Sequence, residues 1–267
     1  MKLNFQKNIL DVLNITIDAG MEILKIYDKE IIVNSKEDNS PITQADLNSN
    51  NLIINKLNKL DPSIPILSEE SLVAWDERKE WKQYWLVDPL DGTKEFINRN
   101  GEFTVNISLI NNNNPVFGVI YAPVKSLLYY ASQNNGSYKI NTDKNLNSLD
   151  KFKKIQINKE KNLVIKIIGS RSHSNKEFEK WVAKKFIKYE VIGIGSSLKF
   201  CLLAEGEADV YPRLGPTSEW DIAAGHIILE EAGGKLKSID NNEILYNTKE
   251  DILNPHFIAY GNMSKID

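Results

Sequence analysis

Apolar residues recur three and four apart through the first thirty positions. Ile9, Val12, Leu13, Ile17 and Leu24 alternate with Asn8, Asp11, Asn14 and Asp18, which predicts an amphipathic helix from about Phe5 to Tyr27. A second helix is expected from about Gln44 to Leu60, with Thr43 as its cap and Leu47, Leu52, Ile53 and Leu57 on its apolar side. Pro62 and Pro65 then mark a turn. The pattern changes to short apolar runs: Ile64 to Leu67, Trp85 to Val87, Thr104 to Ile110, Val116 to Tyr121 and Leu127 to Ser132 all read as strands, with a hairpin at Asn111 to Pro115.

The stretch Asn141 to Lys154 is polar and lysine-rich, and it is expected to be either an exposed connection or the boundary between residues 1–155 and 156–267. Beyond it strands and helices alternate. Strands are expected at Leu163 to Ile168, Tyr189 to Ile192 and Ala208 to Tyr211; helices at Asn175 to Ile187, Ser197 to Ala204 and Ile222 to Ala232, the last ending at Gly233-Gly234.

Composition narrows the field. The 267 residues are 42% hydrophobic and 26% charged, enough for a full core, and the net charge of -3 argues against long contacts with nucleic acid. With Cys201 as the single cysteine there is no internal disulfide and no basis for a cysteine zinc site; a small buried residue is its expected role. No apolar run approaches the ~20 residues of a membrane span, and the N-terminus does not read as a signal peptide. A cytoplasmic protein is expected, with peripheral contact at the inner face of the membrane left open.

The chemistry lies in acids placed after core strands. Glu69 and Glu70 follow the first short strand; Asp88-Pro89-Leu90-Asp91-Gly92-Thr93 follows the second. Pro89 fixes one φ and Gly92 permits a conformation that other residues resist, so a turn here can aim both carboxylates and the Leu90 carbonyl at one place. Carboxylates so placed repel unless a cation sits between them, and oxygen-only ligands favour a hard cation such as Mg²⁺. Gly92 and Thr93 open a helix whose first N–H groups suit a phosphate. Asp221 and Asp46 each sit in the first turn of an expected helix, where a residue-by-residue reading gives capping chemistry.

Together these strings resemble the inositol monophosphatase superfamily. The matching segments are Pro41 to Asp46, Ser68 to Ser71, Asp88 to Thr93 and Trp220 to Gly225. Within it, Thr93 to Ile97, Ser170 to His173, Gly195 to Cys201 and Ala208 to Arg213 are most similar to the bacterial CysQ type of 3'(2'),5'-bisphosphate nucleotidase. The resemblance implies an α/β (α+β) layered αβαβα sandwich. Glu69, Asp88, Asp91, Asp221 and the Leu90 carbonyl would hold two or three Mg²⁺ ions. Thr93 would orient the attacking water with Glu69 nearby, and Asp46 would help activate that water or hold a further metal. Amides at Gly92 and Thr93 would grip the scissile phosphate. Asp221 also borders the substrate, and His173, Ser196, Lys199 and Arg213 match positions that bind the nucleotide.

The implied reaction is hydrolysis of 3'-phosphoadenosine 5'-phosphate to AMP and phosphate, with Li⁺ inhibition and a link to sulfur metabolism. Read alone, Lys199 is equally a solvated helix residue, Arg213 a structural ion-pair partner, His173 a local hydrogen-bonding group and Ser196 a helix cap. The rival readings are an inositol-phosphate phosphatase, a metal- and nucleotide-binding sensor without turnover, and a structural cation-binding module. The partner is a small molecule, and the oligomeric state is not legible.

Overall fold

Runs of apolar residues that bury both faces of a strand set the architecture. The computed structural model describes residues 5–29, 33–35, 41–158, 164–170 and 176–261. Helices α1 (Phe5–Tyr27) and α2 (Gln44–Leu60) flank a small ladder of β1 (Val33–Ser35) and β2 (Pro41–Thr43). A seven-stranded sheet follows in chain order: β3 (Ile66–Ser68), β4 (Gln83–Asp91), β5 (Thr104–Asn111), β6 (Asn114–Ala122), β7 (Leu127–Ser132), β8 (Gly136–Asn141) and β9 (Lys153–Ile155). Only β3 and β4 pair in parallel. Two short helices interrupt it, α3 (Trp75–Arg78) and α4 (Thr93–Ile97).

The second sheet has the order β11 (Tyr189–Ile194), β10 (Ile165–Ser170), β12 (Val210–Arg213), β14 (Phe257–Tyr260), β13 (Lys235–Ser238). Helices α5 (Lys176–Lys185), α6 (Leu198–Ala204) and α7 (Glu219–Glu231) complete the chain. Alternation along β4 sorts the layers. Trp85 and Val87 join Leu13 and Ile17 of α1 in one core. Tyr84 and Leu86 join Ile227 and Ile228 of α7, with Tyr211 and Phe257 of the second sheet, in another. Helix α5 covers the outer face of that sheet through Val182, packed with Ile167 and Val210. The layers therefore run αβαβα, as the family resemblance implies. Gly118 sets the central spacing: a Cβ there would meet Ala224 O at 2.7 Å and Ile227 Cγ2 at 2.6 Å, so α7 lies directly on β6.

The helices α1 and α2 have the expected bounds, because their periodicity and the Thr43 cap are local signals. Two expectations change and a third is narrowed. The acidic string is not a turn after a strand but the continuation of β4. Pairing with β5 lapses between Asp88↔Asn106 and resumes at Asp91↔Thr104, a bulge around Pro89, which has no N–H to give the ladder. Of the two readings of Asn141 to Lys154, the exposed connection is the one seen: it joins β8 to β9, the last strand of the first sheet. Strands β1, β2, β8, β9, β13 and β14 are additions; in β8, β9 and β13 polar residues such as Lys139, Lys153 and Lys235 hide the periodicity. Cys201 is buried, as expected of it. Among the described residues no helix is long and apolar enough to cross a membrane.

Candidate active site

The bulge in β4 decides which way the acids face. Side chains three apart on a regular strand point to opposite faces. Here three steps along β4 match two along β5, and the extra residue restores the phase. Asp88 and Asp91 consequently share the face that looks toward α6 and α7, while Leu90 turns into the α1/α2 core. Ser49 of α2 braces the bulge by donating its hydroxyl to Pro89 O at 2.7 Å. Glu69, just past β3, is drawn beside β4 by its N–H bond to Val87 O at 3.1 Å.

Asp221 arrives from the other side, at the start of α7, where Ser218 N donates to its Oδ2 at 2.9 Å. Asp46 sits at the same place in α2, accepting from Thr43 N at 2.8 Å and Thr43 Oγ1 at 2.6 Å. Its other oxygen accepts from Thr93 Oγ1 at 3.1 Å. The Leu90 carbonyl lies 3.5 Å from the same hydroxyl. Gly92 precedes α4 with φ 92°, a left-handed conformation that a Cβ would strain.

A cleft of about 1290 Å³ lies between the two sheets. It is lined by Glu69, Asp88, Asp91 and Asp221, with Leu90, Gly92 and Thr93 at the floor. Ser196, Lys199 and Arg213 line the same cleft, with Lys199 near Asp91 and Arg213 near Asp221. Asp46 stands behind Thr93, 2% exposed. His173 falls outside the described residues. Lys199 is itself buried and donates to Ser196 O at 3.0 Å. Arg213 Nη2 donates to Pro216 O at 2.8 Å, while its buried Nε has no hydrogen-bond partner among the described residues. Ser196 holds a left-handed backbone, φ 50°, which is costly for a residue with a Cβ and typical of functional turns.

The electrostatics follow from burial and proximity. Desolvation first, then repulsion from Glu69, Asp91 and Asp221, holds the Asp88 carboxyl well above the ordinary range. Asp221 is pushed up to about 8, by burial, then by Asp91 and Glu69. Burial also raises Asp91, opposed by Lys199 and by hydrogen bonds from Ser197 and Asn106. Burial raises Asp46 against its bonds to Thr43 and Thr93, and it lowers Lys199 despite Asp91. Among the described residues no three His, Cys, Asp or Glu side chains already converge as a metal cage. The fit of a cation rests instead on donor chemistry. Four carboxylates line one cleft, and Glu69 and Asp91 raise both Asp88 and Asp221, an excess of negative charge that a hard divalent cation removes.

Sequence reasoning missed Asn106, Ser197, Glu95 and Glu102. Glu102 Oε2 accepts from Gly195 N at 2.8 Å, and Glu95 packs against the same turn, its Cγ 2.7 Å from where a Gly195 Cβ would sit. A signal for Asn106 existed: Thr104, Asn106 and Ser108 place polar groups at every second position of an apolar strand, all of them buried.

Comparison with known proteins agrees with this geometry. Residues 7–264 match the model of the inositol monophosphatase family. The chain is 44% identical over 242 residues to the 3'(2'),5'-bisphosphate nucleotidase CysQ of Salmonella typhimurium, covering 90% of this chain and 94% of that one. It is 43% identical over 242 residues to the protein of that name in Escherichia coli K12, with the same coverage. The crystal structure of CysQ from Bacteroides thetaiotaomicron, described as a bacterial member of the inositol monophosphatase family, superposes with a TM-score of 0.86 at 42% identity, over 97% of this chain and 98% of that chain. Enzymes of this family are typically metal-dependent. The match over nearly the whole length, on a fold whose cleft gathers the expected carboxylates, establishes that this chain belongs to the inositol monophosphatase family.

Proposed function

We propose that this chain is a Mg²⁺-dependent 3'(2'),5'-bisphosphate nucleotidase, hydrolysing 3'-phosphoadenosine 5'-phosphate to AMP and phosphate. The observation that carries it is the mixed lining of the cleft: four carboxylates, with the cations of Lys199 and Arg213 beside them. A substrate with two phosphates offers one to the carboxylate-held cations and a second to Lys199 and Arg213, whereas a monophosphate offers only one. The curated relatives that share 43–44% of its residues bear the nucleotidase name.

On this reading Glu69, Asp88, Asp91, Asp221 and the Leu90 carbonyl hold two or three Mg²⁺ ions, which would neutralise phosphate charge and lower the pKa of bound water. Thr93 gives its proton to Asp46 and turns its lone pairs to the cleft, where it accepts from and orients the attacking water beside Glu69. Amides at Gly92 and Thr93, at the start of α4, hold the scissile phosphate. The water oxygen bonds to phosphorus, the bond to the ribose 3'-oxygen breaks, and that oxygen leaves with a proton. Ser196, Lys199 and Arg213, with His173, hold the rest of the nucleotide. Residues 1–155 thus supply the nucleophile's surroundings and most metal ligands; residues 156–267 supply the nucleotide pocket and Asp221. A cytoplasmic setting suits that substrate.

The test is phosphate release from 3'-phosphoadenosine 5'-phosphate and from inositol 1-phosphate, each with Mg²⁺ and with EDTA. An EDTA-sensitive preference for the nucleotide is expected. Preference for the inositol phosphate would overturn the substrate, and no turnover of either would leave a binding protein.

A further inference from the structure

A serine at a helix N-cap normally turns its hydroxyl back to accept an amide N–H of the first turn. Ser197, the N-cap of α6, makes no such bond. Its hydroxyl instead lies 2.7 Å from Asp91 Oδ2 and 2.8 Å from Asp221 O, and it has one proton to give between them. Asn106 of β5 decides that the proton is available there, by donating its Nδ2 to Ser197 Oγ at 2.9 Å. The amide is itself oriented: Thr104 Oγ1 donates to Asn106 Oδ1 at 3.0 Å, which turns Nδ2 toward Ser197 and leaves a long second contact, 3.4 Å, to Asp91 Oδ2. Both side-chain bonds to Asp91 fall on the same oxygen, Oδ2.

Four elements meet at this one hydroxyl: β4 through Asp91, β5 through Asn106, α6 through Ser197 itself and α7 through Asp221. Ser197 is 2% exposed and Asn106 1%, so water cannot readily replace either bond, and a buried polar group deprived of its partner is costly. Outer partners of this kind fix the direction in which a carboxylate presents its remaining oxygen. The adjacent turn is fixed as well, by Glu102 on Gly195 N and by the left-handed Ser196.

We propose that Ser197, oriented by Asn106, is a positioning residue that aims Asp91 into the cleft and locks it to the start of α7, so that the carboxylates from the two sides of the cleft keep one spacing for the cation. The inference rests on the metal-binding reading above, and its test separates the two. Mg²⁺ binding is measured by titration calorimetry on the purified wild type and on Ser197→Ala, Ser197→Thr and Asn106→Ala, alongside the melting temperature in EDTA. Wild type is expected to bind. Ser197→Ala is expected to bind about tenfold to 100-fold more weakly with its EDTA melting temperature nearly unchanged, Asn106→Ala to shift in the same direction, and Ser197→Thr, which keeps the hydroxyl, to recover most of the affinity. In turnover the loss should fall on kcat more than on KM for the nucleotide. No Mg²⁺ binding by wild type would overturn the metal reading itself. Wild-type affinity in both alanine variants would overturn this inference alone. So would a large drop in the EDTA melting temperature that the threonine variant fails to repair, since that marks a merely structural bond.

Discussion

Two helix starts in this molecule are built alike and used differently. Asp46 of α2 and Asp221 of α7 each occupy the third helical position, and each accepts the backbone N–H of its N-cap residue, Thr43 or Ser218. Asp46 spends its second oxygen on Thr93 and remains behind the cleft wall. Asp221 lines the cleft, where burial first and then the nearby Asp91 and Glu69 push its pKa up to about 8. The local motif is the same, and what surrounds it decides whether the acid steers a hydroxyl or joins a cluster that wants a cation. Capping and catalysis, which sequence reasoning set against each other, are both served by one side chain.

Replacing each acid by its amide breaks the comparison most sharply, because Asn still accepts from the N-cap amide and only the charge is lost. Asp221→Asn should cost about 10³-fold in kcat/KM, several kcal/mol of charge stabilisation, and should weaken Mg²⁺ in calorimetry. Its melting temperature in EDTA should hold or rise, because the folded chain no longer has to take up a proton at this buried carboxyl. A variant that melts much earlier in EDTA would show that capping was its main service. Asp46→Asn should cost about 10²-fold in kcat, the range of a positioned acid–base group, with Mg²⁺ affinity moved far less than by Asp221→Asn. Equal losses of affinity would place Asp46 among the metal ligands.

The smallest effect is one of pH. Asp221 keeps its proton to about 8 in the folded chain, against 3.8 for an ordinary carboxyl. Between those values the folded chain holds a proton that the unfolded chain has released, so this group's contribution to metal-free stability falls as pH rises. Asp88, raised by burial and the same neighbours, adds to it with the same sign. The melting temperature in EDTA should therefore decline from pH 5 toward pH 8 and the gain from added Mg²⁺ should grow. A Mg²⁺ gain that is constant with pH would contradict it.

The helices were legible because their signals are local: period, cap and first-turn acid all lie within a few residues at Thr43 to Leu57. The carboxylates were legible as a string, from Asp88 to Thr93, but not as a shape. That Asp88 and Asp91 face the same way depends on pairing with β5, far from any cue within the six residues. Asn106 and Ser197 were harder still. They lie ninety-one residues apart and meet only when the two sheets close on α6 and α7. Strands such as β8 and β13 were missed because lysines whose stems pack and whose ammonium groups reach water disguise the alternation.

The bulge at Pro89 also changes which kinds of mutation this site tolerates. The bulge, not charge alone, keeps Asp88 and Asp91 together: were the ladder with β5 regular through all the residues between them, Asp91 would project into the apolar layer beneath α1 and α2. Substitutions inside the motif can be graded by what each side chain touches. Loss of the bulge at unchanged length has no grades, since it inverts the remainder of β4 against β5, and the chemistry of the motif depends on that irregularity before it depends on any one side chain.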